Sequence, residues 1–144
     1  MIVLDSNVVS ELMRATPSEA VVAWVQSQPA AELCTTAVTA AEIRYGISRL
    51  PSGQRRDVLR AAADDVFAAF AEKVLAFDAG AARHYADIVL EREQHGAPIG
   101  GFDAQIAAVC RSRRAALATR NIDDFDRLGL DLLNPWTGAT GLSR

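Results

Sequence analysis

Short apolar runs separated by stretches of helical period constrain this chain more than any other feature. Met1 to Leu4, "ELCTT" (32–36), "KVLAF" (73–77) and "AALAT" (115–119) are short, largely apolar runs. Such runs suit strands covered on both faces. Between them the pattern turns helical. Residues 7–14 predict a first helix, and a second runs from Pro17, placed in its first turn, through about Gln28, with Val21, Val22, Trp24 and Val25 on a broad apolar face. A third starts at Val38 and stops at Pro51-Ser52-Gly53, a fourth covers roughly 54–72, and a fifth is capped by Asp78 and runs to about Glu93. The Gly- and Pro-rich loop "HGAPIGG" (95–101) leads into a sixth helix, "FDAQIAAVCRSRR", whose basic end suits the helix dipole. A polar turn with a short helix, "NIDDFDRLGL", and a last short strand in "LDLLNPW" precede a Gly-rich tail over 137–144.

Strands that alternate with helices require crossovers, and crossovers of this kind build a parallel sheet with helices on both faces. The expected fold class is therefore α/β, a three-layer α/β/α sandwich. Neither a linker nor an internal repeat interrupts the chain, so 1–144 reads as a single domain.

In open parallel sheets, ligands bind beyond the carboxyl ends of the strands. Asp5 lies at the end of the first strand, and Asn121, Asp123 and Asp124 lie just after the fourth. Glu42 and Asp103 fall early in helices, each among apolar neighbours, in "TAAEI" and "GFDAQI". Gathering several carboxylates costs many kcal/mol unless a cation or proton compensates. Oxygen-only donors favour Mg²⁺ or Mn²⁺ over zinc, and hard cations held by acids at a sheet edge suit phosphodiester chemistry. Each acid also has a plainer explanation. Asp5 is a good helix N-cap, Glu42 has Arg44 and Arg49 for ion pairs, Asp103 suits a helix start, and Asp123, Asp124 and Asp126 read as a solvated turn.

The formal net charge of -3 argues against a protein that grips nucleic acid by bulk positive charge, but not against one whose acidic site is reversed in sign by bound cations. Cys34 and Cys110 are too few and too distant for a zinc or disulfide framework and read as buried free thiols of a reducing compartment. With no basic and apolar leader at the start and no span-length apolar run, a cytoplasmic protein is expected.

Four segments together resemble the PIN-domain ribonucleases, and among them the VapC toxins of bacterial type II toxin–antitoxin modules, including the FitB-like branch. They are "MIVLDSNVVSEL", "TTAVTAAEIRYGI", "PIGGFDAQIAAV" and "LATRNIDDFDRLGLDLLNPW". The resemblance implies a PIN domain with a central parallel sheet of four to five strands, commonly a homodimer. It also implies a Mg²⁺- or Mn²⁺-dependent endoribonuclease that hydrolyses RNA phosphodiesters and is inhibited by a cognate antitoxin of the VapB type, in a toxin–antitoxin hetero-oligomer. Carried over by position, Asp5, Glu42 and Asp103 are the metal-site acids. Asp124 is the fourth catalytic candidate, with Asn121 as a neutral ligand or its partner, and Ser6 and Thr119 are supporting hydroxyls.

Arg44, two residues beyond Glu42 and so about 200° round the helix, is a candidate for substrate contact from the rim. Arg111, Arg113 and Arg114 sit roughly 15 Å from Asp103 along their helix, suited to a more distant phosphate or, more plainly, to dipole-compensating charge. A haloacid-dehalogenase-like phosphatase needs a second Asp at position 7, where this chain has Asn7. A receiver domain needs a Lys near its end, and the only Lys is Lys73. A catalytically silent PIN-fold binding module is the remaining alternative.

Overall fold

The computed structural model describes residues 1–142; the last two positions of the Gly-rich tail, 143–144, lie outside the described residues. The elements run β1 (Ile2–Leu4), α1 (Ser6–Leu12), α2 (Glu19–Ser27), β2 (Leu33–Thr36), α3 (Ala37–Ser48), α4 (Gln54–Phe70), β3 (Val74–Leu75), α5 (Ala79–Gln94), α6 (Gly101–Arg113), β4 (Ala116–Ala118), β5 (Asp131–Leu133) and β6 (Thr140–Leu142). The sheet order is β3-β2-β1-β4-β5-β6. The first five strands are parallel, and β6 pairs antiparallel with β5.

Strand alternation divides the core in two. Val3, Cys34, Leu75, Leu117 and Leu132 point into the layer under α5 and α6, together with Ile88, Ile106 and Val109. Leu4 and Ala118, with Leu33, Val74 and Leu133 packed beside them, point into the opposite layer with Val8, Val9, Val21, Ile43, Ile47 and Phe67. The parallel strands thus bury apolar side chains on both faces, which is why they read as continuous hydrophobic runs. The three-layer α/β/α expectation holds.

The chain passes from β1 to β2 and β3 on one side, then crosses back to add β4 and β5 on the other. The reversal falls between β1 and β4, where Val3 pairs with Leu117 and Leu4 with Ala118. That switch point leaves a crevice at the carboxyl ends of both strands.

Several boundaries differ from expectation. The second helix starts at Glu19 and not at Pro17, because the Ser18 amide donates to Glu11 Oε1 at 2.9 Å and pins the preceding loop to α1. The fourth ends at Phe70, where Ala71 takes a positive φ of 48°. The third strand keeps only two residues, since Ala76 and Phe77 run out exposed toward the Asp78 cap, whose Oδ1 accepts from the Ala81 amide at 3.0 Å.

The sheet exceeds the expected four to five strands because the tail folds back as β6. Asn134 makes that return. Its Oδ1 accepts from the Trp136 amide at 2.9 Å, its carbonyl accepts from the Gly138 amide at 2.8 Å, and Gly138 supplies the positive φ of 71° that the turn needs. Both cysteines are buried free thiols, as expected.

Candidate active site

Asp5 is the first residue past β1, and its carboxylate does two jobs at once. Oδ1 accepts from the Ser6 amide at 2.8 Å and so caps α1. Oδ2 accepts from the Thr119 hydroxyl at 2.8 Å and from the Asn7 side-chain amide at 3.2 Å. Thr119 is the first residue past β4, fully buried, so the hydroxyl reaches Asp5 across the switch point. The Thr119 oxygen also accepts from the Asn121 amide at 3.1 Å, tying the start of the 121–126 turn to the same group.

Asn7 completes this corner: its Nδ2 reaches Thr119 Oγ1 at 3.3 Å and its Oδ1 accepts from the Arg120 amide at 3.2 Å. Sequence reasoning used Asn7 only as an argument against a phosphatase. Its place two residues after a strand-end Asp was the available signal.

On the β2 side, Thr36 caps α3 by accepting from the Thr39 amide at 3.0 Å, and the two hydroxyls lie 3.1 Å apart. The Ser6 hydroxyl stands 3.5 Å from Thr39 Oγ1, a long contact. Ser6 therefore sits at the α1–α3 junction, between the Asp5 and Glu42 segments.

The charges of Glu42 and Asp124 act on both Asp5 and Asp103. Burial raises the Asp5 carboxyl above its ordinary 3.8, more than the Thr119 and Ser6 hydrogen bonds lower it, and the charges of Glu42 and Asp124 raise it further. Asp103, in the first turn of α6, is pushed up to about 6, by burial first and then by Asp5, Glu42 and Asp124. Segments as distant as 5, 42, 103 and 124 thus share one electrostatic environment at the sheet's carboxyl edge. Among the described residues, no group of three or more His, Cys, Asp or Glu side chains is placed to hold a metal ion. The fit to a hard divalent cation is one of charge and donor chemistry: oxygen donors only, with excess negative charge to be neutralised.

A buried arginine that the sequence did not reveal stands behind this cluster. Arg92, on α5, is 7% exposed and donates to the carbonyls of Ala97 at 2.7 Å, Asp124 at 2.6 Å and Asp126 at 3.3 Å. It ties the loop before Asp103 to the turn carrying Asp124, and its charge partly offsets the rise at Asp103.

Arg44 is engaged elsewhere. It pairs with Asp64 of α4 at 2.8 Å and lies 5.4 Å over the Phe67 ring. Arg111 is held by Glu91 and the Leu128 carbonyl, and Arg113 lies 3.7 Å from Asp78.

Two cavities of about 380 Å³ each flank the acids. One is an apolar groove walled by Met13, Ile43, Ile47 and Leu59, with Ser6, Asn7 and Glu42 at its site end. The other is polar, lined by Arg120, Asn121, Ile122, Asp123, Asp124 and Asn134.

The PIN domain profile matches residues 2–130, nearly the whole described chain. The chain belongs to the PIN-domain family. It is 41% identical over 140 residues to the VapC ribonuclease Y4jK of Sinorhizobium fredii, covering 96% of this chain and all of that protein. It is 36% identical to the toxin FitB of Neisseria gonorrhoeae over 94% of this chain and 99% of FitB. The crystal structure of FitAcB from that organism superposes with a TM-score of 0.87 over 95% of this chain and 99% of the matched one, at 36% identity. A member of the VapBC family of toxin–antitoxin systems from Mycobacterium tuberculosis matches with a TM-score of 0.62 and 29% identity over 85% and 86% of the two chains. The PIN match over residues 2–130 contains Asp5, Glu42, Asp103 and Asp124, so the acidic crevice lies inside the region of likeness.

Proposed function

We propose that this chain, acting as one PIN domain over 1–144, is the toxin of a type II toxin–antitoxin module, an endoribonuclease that hydrolyses RNA phosphodiesters and is held inactive by a cognate antitoxin. Y4jK is named a VapC ribonuclease and FitB a toxin, each matched over nearly its full length. The observation that carries the reading for this chain is the convergence of acids from four separate segments on the topological switch point, where burial and the charges of Glu42 and Asp124 raise both Asp5 and Asp103, and Asp5 raises Asp103 further. Carboxylates that are purely structural are paired with bases; these lack a basic partner sufficient to bring them down.

Asp5, Glu42 and Asp103 are the residues that would hold Mg²⁺ or Mn²⁺, with Asp124 as the fourth acid. The cation would lower the pKa of a bound water and neutralise charge developing on the phosphate. The chain's own groups do the positioning. Thr119 and Asn7 fix Oδ2 of Asp5, so that its orientation is set before any ligand arrives. Asn121, anchored through its amide to Thr119, starts the turn that brings Asp124 to the polar cavity. Arg92 holds that turn by its carbonyls, and its charge partly offsets the rise at Asp103. Ser6 stands where α1 meets α3, between the Asp5 and Glu42 segments, as a supporting hydroxyl.

The antitoxin is proposed to lie along the apolar groove between α1, α3 and α4 and to reach the acids from its Ser6–Glu42 end. A homodimer, the cytoplasm as the working compartment and a toxin–antitoxin hetero-oligomer belong to the same proposal. No helix among the described residues is long and apolar enough to cross a membrane.

The test is cleavage of labelled RNA by the purified chain with Mg²⁺ or Mn²⁺ and with a chelator. Cleavage is expected only with the cation, and Asp5→Asn and Asp103→Asn are each expected to abolish it while the fold persists. Metal-dependent cleavage at the wild-type rate in both variants refutes the assignment.

A further inference from the structure

The polar cavity beside Asp124 is lined by a single cation, Arg120, whose side chain lies against an aromatic ring. Its guanidinium carbon lies 5.1 Å from the Trp136 ring centre. Stacked so, a guanidinium keeps its edge N–H groups free for an acceptor in its own plane. Among the described residues the Arg120 guanidinium forms no ion pair or hydrogen bond, and its charge reaches Glu11 only through space. Arg14, Arg44, Arg92, Arg111 and Arg113, by contrast, are each occupied by a carboxylate or by carbonyls.

The backbone of Arg120 is fixed to the site on both sides. Its amide donates to Asn7 Oδ1 at 3.2 Å, and Asn7 in turn bonds Asp5. Its carbonyl accepts from the Asn134 side chain at 3.5 Å, the residue that builds the turn carrying Trp136. A free guanidinium is therefore presented at a set position next to the acids, in a cavity of about 380 Å³, within the roughly 300–1,000 Å³ range of small-ligand sites.

Resting on the ribonuclease reading above, we infer that Arg120, oriented by Trp136, binds a backbone phosphate of single-stranded RNA adjacent to the one that is cleaved, with the polar cavity as that nucleotide's subsite. The carboxylates of Asp123 and Asp124 on the same wall exclude an anion from the rest of the cavity and leave Arg120 as its point of attachment. The planar fork suits a phosphate better than an ammonium would.

The experiment measures binding of a fluorescent single-stranded oligoribonucleotide to the full chain on the Asp5→Asn background, where the probe survives, and KM for RNA on the otherwise wild-type chain. Arg120→Gln is expected to weaken binding and raise KM roughly tenfold, and to reduce the slope of log affinity against log salt by about 0.7, the loss of one single-strand phosphate contact. Arg120→Lys, which keeps the charge but not the stack, is expected to lose roughly threefold and keep the salt slope. Arg83→Gln makes the same charge change on the exposed first half of α5, near the end of α6 remote from Asp103. If Arg120→Gln matches Arg83→Gln in affinity, KM and salt slope while the parent still cleaves RNA, the subsite is refuted and the ribonuclease reading stands. If the parent chain neither binds nor cleaves RNA, both fall together.

Discussion

Replacing Asp103 with Asn is expected to make the cation-free protein more stable near pH 8 and to change it little near pH 4. Burial and the charges of Asp5, Glu42 and Asp124 push Asp103 from 3.8 up to about 6. Between those values the native chain still holds a proton that the unfolded chain has released. Stability therefore falls as pH rises through this window and stays reduced above it. A rise from 3.8 to about 6 corresponds to about 3 kcal/mol. Asp103 is only partly buried, so solvent screening reduces this to roughly 1–2 kcal/mol, or roughly 3–6 °C in Tm for a chain of this length. Asn keeps the shape and removes the charge, and the Asp103 carboxylate accepts no hydrogen bond from a described residue that the change would break. Thermal and urea melts in chelator across pH 4–8 measure the difference. Adding Mg²⁺ or Mn²⁺ is expected to stabilise the parent by mass action and the variant less. A variant that is destabilised equally at both ends of the pH range would refute the claim that these acids strain one another.

Thr119→Val removes the hydroxyl that lowers Asp5 and leaves the Asn121 amide unpaired. A further rise of the Asp5 pKa, read by carboxyl NMR, and a loss of about 1–3 kcal/mol are expected. Arg92→Met strands three carbonyls in the 97–126 region and is expected to cost about 2–3 kcal/mol in urea melts, with faster amide exchange in the turn carrying Asp124. Ile106→Ala, at a fully buried position under the sheet, is expected to cost about 2–5 kcal/mol by cavity formation, seen as a lowered urea midpoint with an unchanged slope.

The sheet was legible because β1 and β4 are apolar on both faces and stop at polar residues that must go somewhere, Asp5 and Thr119. β6 was not, because Thr140-Gly141-Leu142 has no pattern of its own and exists only through the Asn134–Gly138 turn and the open edge of β5. The acids were legible as an arrangement of residue types, since Glu42 and Asp103 sit among alanines and isoleucines. Their supports were hidden. Arg92 falls in "LEREQ", which looks like a solvated helix face, and becomes buried only when the 95–101 loop and the 121–126 turn close over α5. The partner of Arg44 was hidden because Asp64 lies on another helix and meets it only when α4 packs across α3.

Asp5 shows why capping and chemistry are not rival explanations for one carboxylate. If capping were its whole purpose, the Ser6 amide, the Thr119 hydroxyl and the Asn7 amide would together favour its charged form and hold the pKa below the ordinary range. The donors are present, yet burial and two neighbouring acids outweigh them and the pKa is raised. The hydrogen bonds fix where the oxygens point; they do not satisfy the charge. A carboxylate oriented but left electrostatically uncompensated has its greatest remaining gain in a cation or a proton. Asp5→Asn should accordingly remove the cation-induced rise in Tm, while a structure of the variant retains α1 with Ser6 still at its first turn. Loss of α1, with the cation response intact, would mean that the cap was the residue's only role.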